Sequence, residues 1–389
     1  MVKKGYKQTE IGVIPEDWEV KPLKVVAPLQ RGFDLPYSSI KDGIYPVVFS
    51  NGIGAYHSSY MVKGPGVVMG RSGTIGKIHY VKSDYWPHNT TLWVTDFHNN
   101  DPLFASYLFK TIPWNLYNSG SGVPTLNRND VQDYLVAIPS PKEQTEIAAI
   151  LSDVDTLINS LKRQIVKKKA IKQGAMQELL TGKKRLPGFS GDWIKSNIGS
   201  CIIEKPSYGI NAPAVDFNGF LPRYIRITDI SKDGRYCKDA QASVSAENVE
   251  PFLLKTNDIV LARTGASVGK SYIYDEHDGR LVYAGFLIKM SIDPQKADSR
   301  FIFGVLHTYD YWKWVAQTSM RSGQPGINGE EYASYEFRMP SDLKEQKAIA
   351  DILTNMDNEI VTLGKKLIKY RRVKQGMMQQ LLTGKIRLV

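Results

Sequence analysis

Two cysteines in 389 residues, Cys201 and Cys237, are too few for a disulfide framework or a four-ligand zinc site. The six histidines never fall into H-E-x-x-H or a comparable ligand spacing. No run of about 18 apolar residues occurs, so no transmembrane helix is expected. The opening MVKKGYKQTEIG has basic residues with no apolar stretch behind them, which argues against a secretory signal. No G-x-S-x-G stands between a strand and a helix, since SGSGVP at Ser119 reads as a loop. Carboxylates do not gather around a lysine in the P-D…(D/E)-x-K manner of a nuclease. The simplest expectation is a cytoplasmic chain with no resident metal or cofactor.

What is present is length, charge and repetition. A chain of 389 residues exceeds the size at which one core keeps growing, so two or more domains are expected, and 42% hydrophobic residues can fill them. A formal charge of +11 and a pI near 9.3 permit attraction to nucleic acid without fixing a fold. Residues 143–186 and 345–388 align without a gap at an offset of 202, with 22 of 44 positions identical, and both end in KQGxMQxLLTGKxRL. The chain carries an internal duplication.

Each copy reads as a long helix. Ile147, Leu151, Val154, Ile158, Leu161 and Ile165 step by fours and threes, and Ile349, Leu353, Met356, Ile360, Leu363 and Leu367 repeat that register. The pattern is a heptad seam. A lone amphipathic helix would pack on its own domain, but two narrow seams favour helix-on-helix pairing, expected to be antiparallel. Residues 143–180 span ~57 Å at 1.5 Å per residue, and Gly182 and Gly384 supply the stops. The two copies contribute +9 of the +11 charge. Either a solvated helix face or a rod lying close to a polyanion accounts for it.

The segments between the copies form a weaker repeat. Both begin with Asp-Trp (Asp17-Trp18 and Asp192-Trp193), and both close with related text, VPTLNRNDVQDYLVAIPS from Val123 and QPGINGEEYASYEFRMPS from Gln324. Short apolar runs bounded by Gly, Pro, Asn and Asp predict strands, with short helices near 102–108 and 300–316. The expected division is 1–142, a strand-rich domain; 143–186, a helix; 187–344, a second strand-rich domain; and 345–389, a second helix. The fold class is α+β, with the two long helices paired as an antiparallel coiled coil.

Each strand-rich segment carries a glycine loop, RSGTIGK at 71–77 and RTGASVGKS at 263–271. A P-loop requires G-x-x-x-x-G-K-(S/T) and must lead from a strand into a helix. Here the spacing is short and the flanking text, VVM/KIHYV and IVL/SYIYD, is strand on both sides. The loops are glycine-bearing strand connections that need bind no nucleotide. DPLF at 101–104 resembles the D-P-P-F/Y loop of amino-methyltransferases, but its third residue is Leu103 and no F-x-G-x-G loop precedes it. A helix start capped by Asp101, with Pro102 at its first position, is the better reading.

Two variable strand-rich domains, each followed by a nearly identical helix ending in LLTGKxRL, resemble the specificity subunit of a type I DNA restriction-modification system. TEIGVIPEDWEVKPL and PSPKEQTEIAAIL are similar to that family as well, and the resemblance spans the whole chain. It implies target recognition domains that each read one half of a bipartite, asymmetric sequence in double-stranded DNA. It implies a helical spacer that docks two methyltransferase subunits, with restriction subunits joining through the complex. It implies no catalytic residue, no cofactor and no membrane.

On that reading Arg71 and Arg263 are candidates for guanine or phosphate, Ser72, Thr74, Thr264 and Ser267 for either, and Lys77 and Lys270 for phosphate. Gly73 and Gly265 let the backbone approach the duplex. The polar loops SNGIGAYHSS from Ser50, HNTT from His88, NSGSG from Asn118 and SMRSGQ from Ser319 are weaker candidates, with Asn89, Thr90, Arg321, Ser322 and Gln324 taken from them into the candidate set. In the alternative, the glycines only shape a turn and each arginine makes a structural salt bridge. A coiled-coil scaffold without DNA recognition is the rival function.

Overall fold

The protein, seen in a computed structural model, is described for residues 2–119, 122–320 and 324–388. It divides into two compact units, Met1–Lys162 with Lys365–Val389, and Arg163–Gly364.

In the first unit a four-stranded antiparallel sheet runs in the order Leu29–Arg31, Thr91–Val94, Gly66–Gly70, Ile78–Val81. GVVMG at 66–70 is buried throughout, as an unbroken apolar run predicts. A second sheet pairs Tyr45–Phe49 with Gly52–His57 and, in parallel, with Trp86–Pro87. Helix Pro102–Phe109 starts as expected, with the Asp101 carboxylate accepting from the Phe104 amide and Pro102 in its first turn. Glu19–Pro22 pairs with Leu135–Ile138 and brings the chain to the long helix Pro141–Leu179.

The second unit repeats this plan. Its central sheet runs Ser207–Tyr208, Leu287–Ser291, Asp258–Ala262, Ser271–Ile273, the same order of equivalent strands. A second sheet runs Ala214–Asp216, Ala242–Val244, Arg223–Ile225, Leu281–Tyr283. Trp193–Asn197 pairs with Glu336–Pro340 ahead of the long helix Leu343–Leu381. The helix expected at 300–316 is two helices, Ser299–Val305 and Tyr309–Thr318. Thr308 divides them: its hydroxyl donates to the Val305 carbonyl at 2.8 Å and caps the Tyr311 amide of the next helix.

Both long helices contain 39 residues, about 58 Å of rise each. Within each unit the start of one helix lies beside the end of the other. The first unit's core joins Trp18, Leu92, Phe104 and Phe109 to Ile147, Ala148 and Leu151 and to Leu381 and Leu382. The second unit's core joins Ile198, Phe301 and Tyr311 to Ile349, Ala350 and Leu353 and to Met176, Leu179 and Leu180. Ion pairs fix the antiparallel sense: Lys374 Nζ lies 2.7 Å from Asp155 in the first unit, and Lys172 Nζ lies 2.6 Å from Asp357 in the second. The two pairs are the same pair by the repeat, since 155 and 172 become 357 and 374 at the offset of 202.

The heptad residues therefore serve two surfaces. Ile147, Leu151, Ile349 and Leu353 are buried within the strand-rich cores. Ile158 and Leu161 are buried too, whereas Val154, Ile165, Met356, Ile360, Leu363 and Leu367 are partly buried. Gly182 and Gly384 follow the helix ends with φ of 71° and 68°.

Candidate nucleic-acid interface

RSGTIGK joins strand Gly66–Gly70 to strand Ile78–Val81, and RTGASVGKS joins Asp258–Ala262 to Ser271–Ile273. Each loop lies between two neighbours that hold it through backbone hydrogen bonds. In the first, the Arg71 amide donates to the Thr90 carbonyl at 2.9 Å, the Leu126 amide to the Arg71 carbonyl at 2.8 Å, and the Gly73 amide to the Pro124 carbonyl at 2.9 Å. In the second, the Arg263 amide donates to the Phe286 carbonyl at 3.0 Å, the Ile327 amide to the Arg263 carbonyl at 2.9 Å, and the Gly265 amide to the Pro325 carbonyl at 3.0 Å. The two loops are one structural element built twice. Its halves have different tasks.

The second glycine is structural. Gly76 and Gly269 have φ of 70° and 86°, and a Cβ at either would lie 2.7 Å from Trp114 or Val315 side-chain carbon. Only glycine fits that wall. The Arg-(Ser/Thr)-Gly half is displayed instead: Gly73 is exposed, and Ser72, Thr264, Gly265 and Ser267 are partly exposed.

Neither arginine makes a salt bridge among the described residues. Among the described residues the Arg71 guanidinium reaches only the Asn89 carbonyl, at 3.5 Å, and the Arg263 guanidinium lies over the Tyr208 ring at 4.9 Å. A planar cation held on an aromatic face keeps its hydrogen-bonding edge available for a bidentate partner. Among the described residues neither arginine makes the structural salt bridge of the alternative reading. The lysines differ from one another. Lys77 is exposed and donates to the Asn51 carbonyl at 2.7 Å, whereas Lys270 is partly buried and turns towards the Ile230 carbonyl at 3.4 Å.

Around the first loop, Asn89 donates its amide to Asp34. The Thr90 hydroxyl contacts His88 Nδ1 at 3.0 Å and accepts from the Ser50 amide at 3.3 Å. Burial lowers the pKa of His88 and of His79, so both rings favour the neutral form. Gln324 Nε2 lies 3.0 Å from where a Cβ on Gly265 would stand, so it borders the second loop. Arg321 and Ser322 lie outside the described residues.

Three neighbours join the loops: Asn51 lies within the candidate stretch SNGIGAYHSS, whereas Tyr208 and Phe286 were not singled out from the sequence. Asn51, at the tip between strands Tyr45–Phe49 and Gly52–His57, accepts from the Thr74 hydroxyl at 2.9 Å through Oδ1. Tyr208 supports Arg263, and Phe286 stands exposed beside it. The Asn51-Gly52 dipeptide is a hairpin signal that marks a tip, but its meeting with Thr74 is tertiary.

Part of the helical charge is accounted for within the units: Lys168 pairs with Glu359, Lys172 with Asp357 and Lys374 with Asp155. Among the described residues no group of three His, Cys, Asp or Glu is placed to hold a metal ion, and no helix is long and apolar enough to cross a membrane.

Comparison with known proteins agrees with this arrangement. The family described as type I restriction modification DNA specificity domain matches residues 15–171 and again 192–370, one match for each strand-rich region and its helix. The type I restriction enzyme MjaVIII specificity subunit of Methanocaldococcus jannaschii is 25% identical over 308 residues, covering 74% of this chain and 70% of that one. The EcoDI specificity subunit of Escherichia coli is 22% identical over 255 residues, 59% of this chain and 56% of that one. The crystal structure of a type I restriction-modification S subunit from M. genitalium shares the fold with a TM-score of 0.67, at 14% identity, over 96% of this chain and 97% of that one. With two matched copies spanning most of its length, the chain belongs to the type I restriction-modification DNA specificity family and is a specificity subunit, a non-catalytic one.

Proposed function

We propose that this chain reads a bipartite, asymmetric target in double-stranded DNA, one half-site for each strand-rich unit. It docks two methyltransferase subunits, and restriction subunits join through them. The observation that carries this reading is the pair of glycine loops. They are held by equivalent backbone hydrogen bonds, display Arg71 and Arg263 free of salt bridges among the described residues, and are surrounded by different side chains. One scaffold with two sets of reading groups suits two different half-sites. The long helices act as the spacer, a continuous 39 residues each.

The test is to purify the chain with its methyltransferase subunit and to map the methylated positions on genomic DNA. The expected motif has two unlike halves around a fixed gap of unspecified bases. A continuous motif, or duplex binding with no sequence preference at moderate salt, overturns the reading.

A further inference from the structure

We infer that Asn51 determines specificity in the first unit by reading an adenine in the major groove. The inference rests on the DNA-recognition reading above and assigns it a base. Asn51 is exposed at a β-hairpin tip, where a flexible polar side chain would ordinarily be held by nothing. Here the side chain is held once and the backbone once. Its Oδ1 accepts from the Thr74 hydroxyl at 2.9 Å, and its backbone carbonyl accepts from Lys77 Nζ at 2.7 Å. Both partners belong to the RSGTIGK loop, so the hairpin tip and the loop carrying Arg71 form one surface.

The fixed amide still has its chemistry to offer. An amide oxygen has two lone pairs, and Thr74 takes one. Nδ2 donates to no protein group among the described residues. A free donor beside a half-free acceptor, set in one plane, complements the N7 acceptor and N6 donor of adenine.

The surroundings leave room for the base pair. Beside Asn51 opens a cleft of about 420 Å³ bordered by Tyr37, Phe49, Ile53, His88 and Thr90. Tyr37 stacks on Phe49 with ring centroids 5.5 Å apart. Among the described residues no acidic side chain borders the cleft to repel a duplex.

The experiment selects bound duplexes from a randomised pool with the chain in its methyltransferase complex, comparing wild type with Asn51→Ala, Asn51→Asp and Thr74→Val. Wild type should recover a motif with adenine at one position of one half-site. Asn51→Ala should reduce discrimination there roughly tenfold or more, the scale of one bidentate contact, and leave the other half-site unchanged. Asn51→Asp, which keeps the turn but removes the donor, should move the preference from adenine towards cytosine, whose N4 amine needs an acceptor. Thr74→Val should weaken the adenine preference less than Asn51→Ala does. Unchanged preference at every position in Asn51→Ala and Asn51→Asp overturns the assignment while leaving DNA recognition intact. A wild-type chain that selects no motif overturns the underlying reading instead.

Discussion

The Arg387 guanidinium lies 2.7 Å from the carboxylate of Glu143, a side chain with no solvent exposure, and so joins residues 244 positions apart. The same guanidinium reaches Asp17 at 2.7 Å, and Glu143 also accepts from the Trp18 indole at 3.0 Å. The second unit repeats the clasp, with Arg185 2.7 Å from the buried Glu345. Glu143 and Glu345, like Arg185 and Arg387, are counterparts in the duplication. The identical residues at the two ends of each repeat are thus the two halves of a clasp between the helices.

Arg387→Ala should leave Glu143 buried without its cation. Removing one partner of a buried pair costs about 3–5 kcal/mol, with the lower end expected because Arg387 is itself 21% exposed. Urea unfolding should report the loss, and hydrogen exchange should rise first around residues 15–22 and 381–388. Glu143→Gln with Arg387→Ala should cost less than the two single changes added together. Independent, additive effects would show that the clasp carries no coupling.

Gly174 and Gly376 sit inside the long helices at equivalent places, and a Cβ at either would meet nothing within 4 Å. Gly174→Ala and Gly376→Ala should each stabilise the isolated chain by about 0.8–1 kcal/mol, the helix-propensity difference. Thermal unfolding measures it. Since the chain itself gives these glycines no steric reason, the added methyls should also weaken association with the methyltransferase subunit proposed to dock along the helices. A variant that is more stable and binds its partner equally well would remove these positions from the docking surface.

Much of this was legible in the sequence, for identifiable reasons. Helices with a 3.5-residue seam and a glycine stop follow from local chemistry, and Asp101-Pro102 announces a helix start. Strand text on both sides of each glycine loop, VVM/KIHYV and IVL/SYIYD, marks a strand connection, because a P-loop must lead into a helix. The division of each seam between two surfaces was not legible, because Ile147 and Ile158 look alike in sequence and only tertiary packing sends one into a strand-rich core. Thr308 was a readable cap inside the 300–316 segment, and the apolar run around it hid the break. In the candidate site, Arg71 and Arg263 were visible from the repeated loop. Asn51 was visible only as part of the polar stretch SNGIGAYHSS, and Tyr208 not at all, since they reach the loops from 23 and 55 positions away, across strands.

His307 gives the second unit an acid-sensitive side chain. Burial holds its pKa below the ordinary 6.5, with Lys172 nearby acting in the same direction, while the Phe303 carbonyl at 2.9 Å, Asp357 and Asp233 oppose it. The unfolded chain therefore binds the proton more readily, so the contribution is complete above about pH 6.5 and falls away as the pH drops below it. His307→Gln should remove this dependence. The stability difference between wild type and variant, from urea titrations at several pH values, should narrow from pH 8 to pH 5. A constant difference would show that His307 is protonated equally in both states.

Two arginines that each read one half-site should act independently of one another. Arg71→Ala and Arg263→Ala, each in complex with the methyltransferase subunit, can be titrated against duplexes altered in one half-site or the other. If each loop reads its own half-site, Arg71→Ala loses discrimination at the first unit's half-site only, and Arg263→Ala at the other only, by about 1–3 kcal/mol for a bidentate base contact. Two variants that keep full affinity and specificity at both half-sites while melting at lower temperature would contradict the account, and the loops would then be fold elements without a reading role.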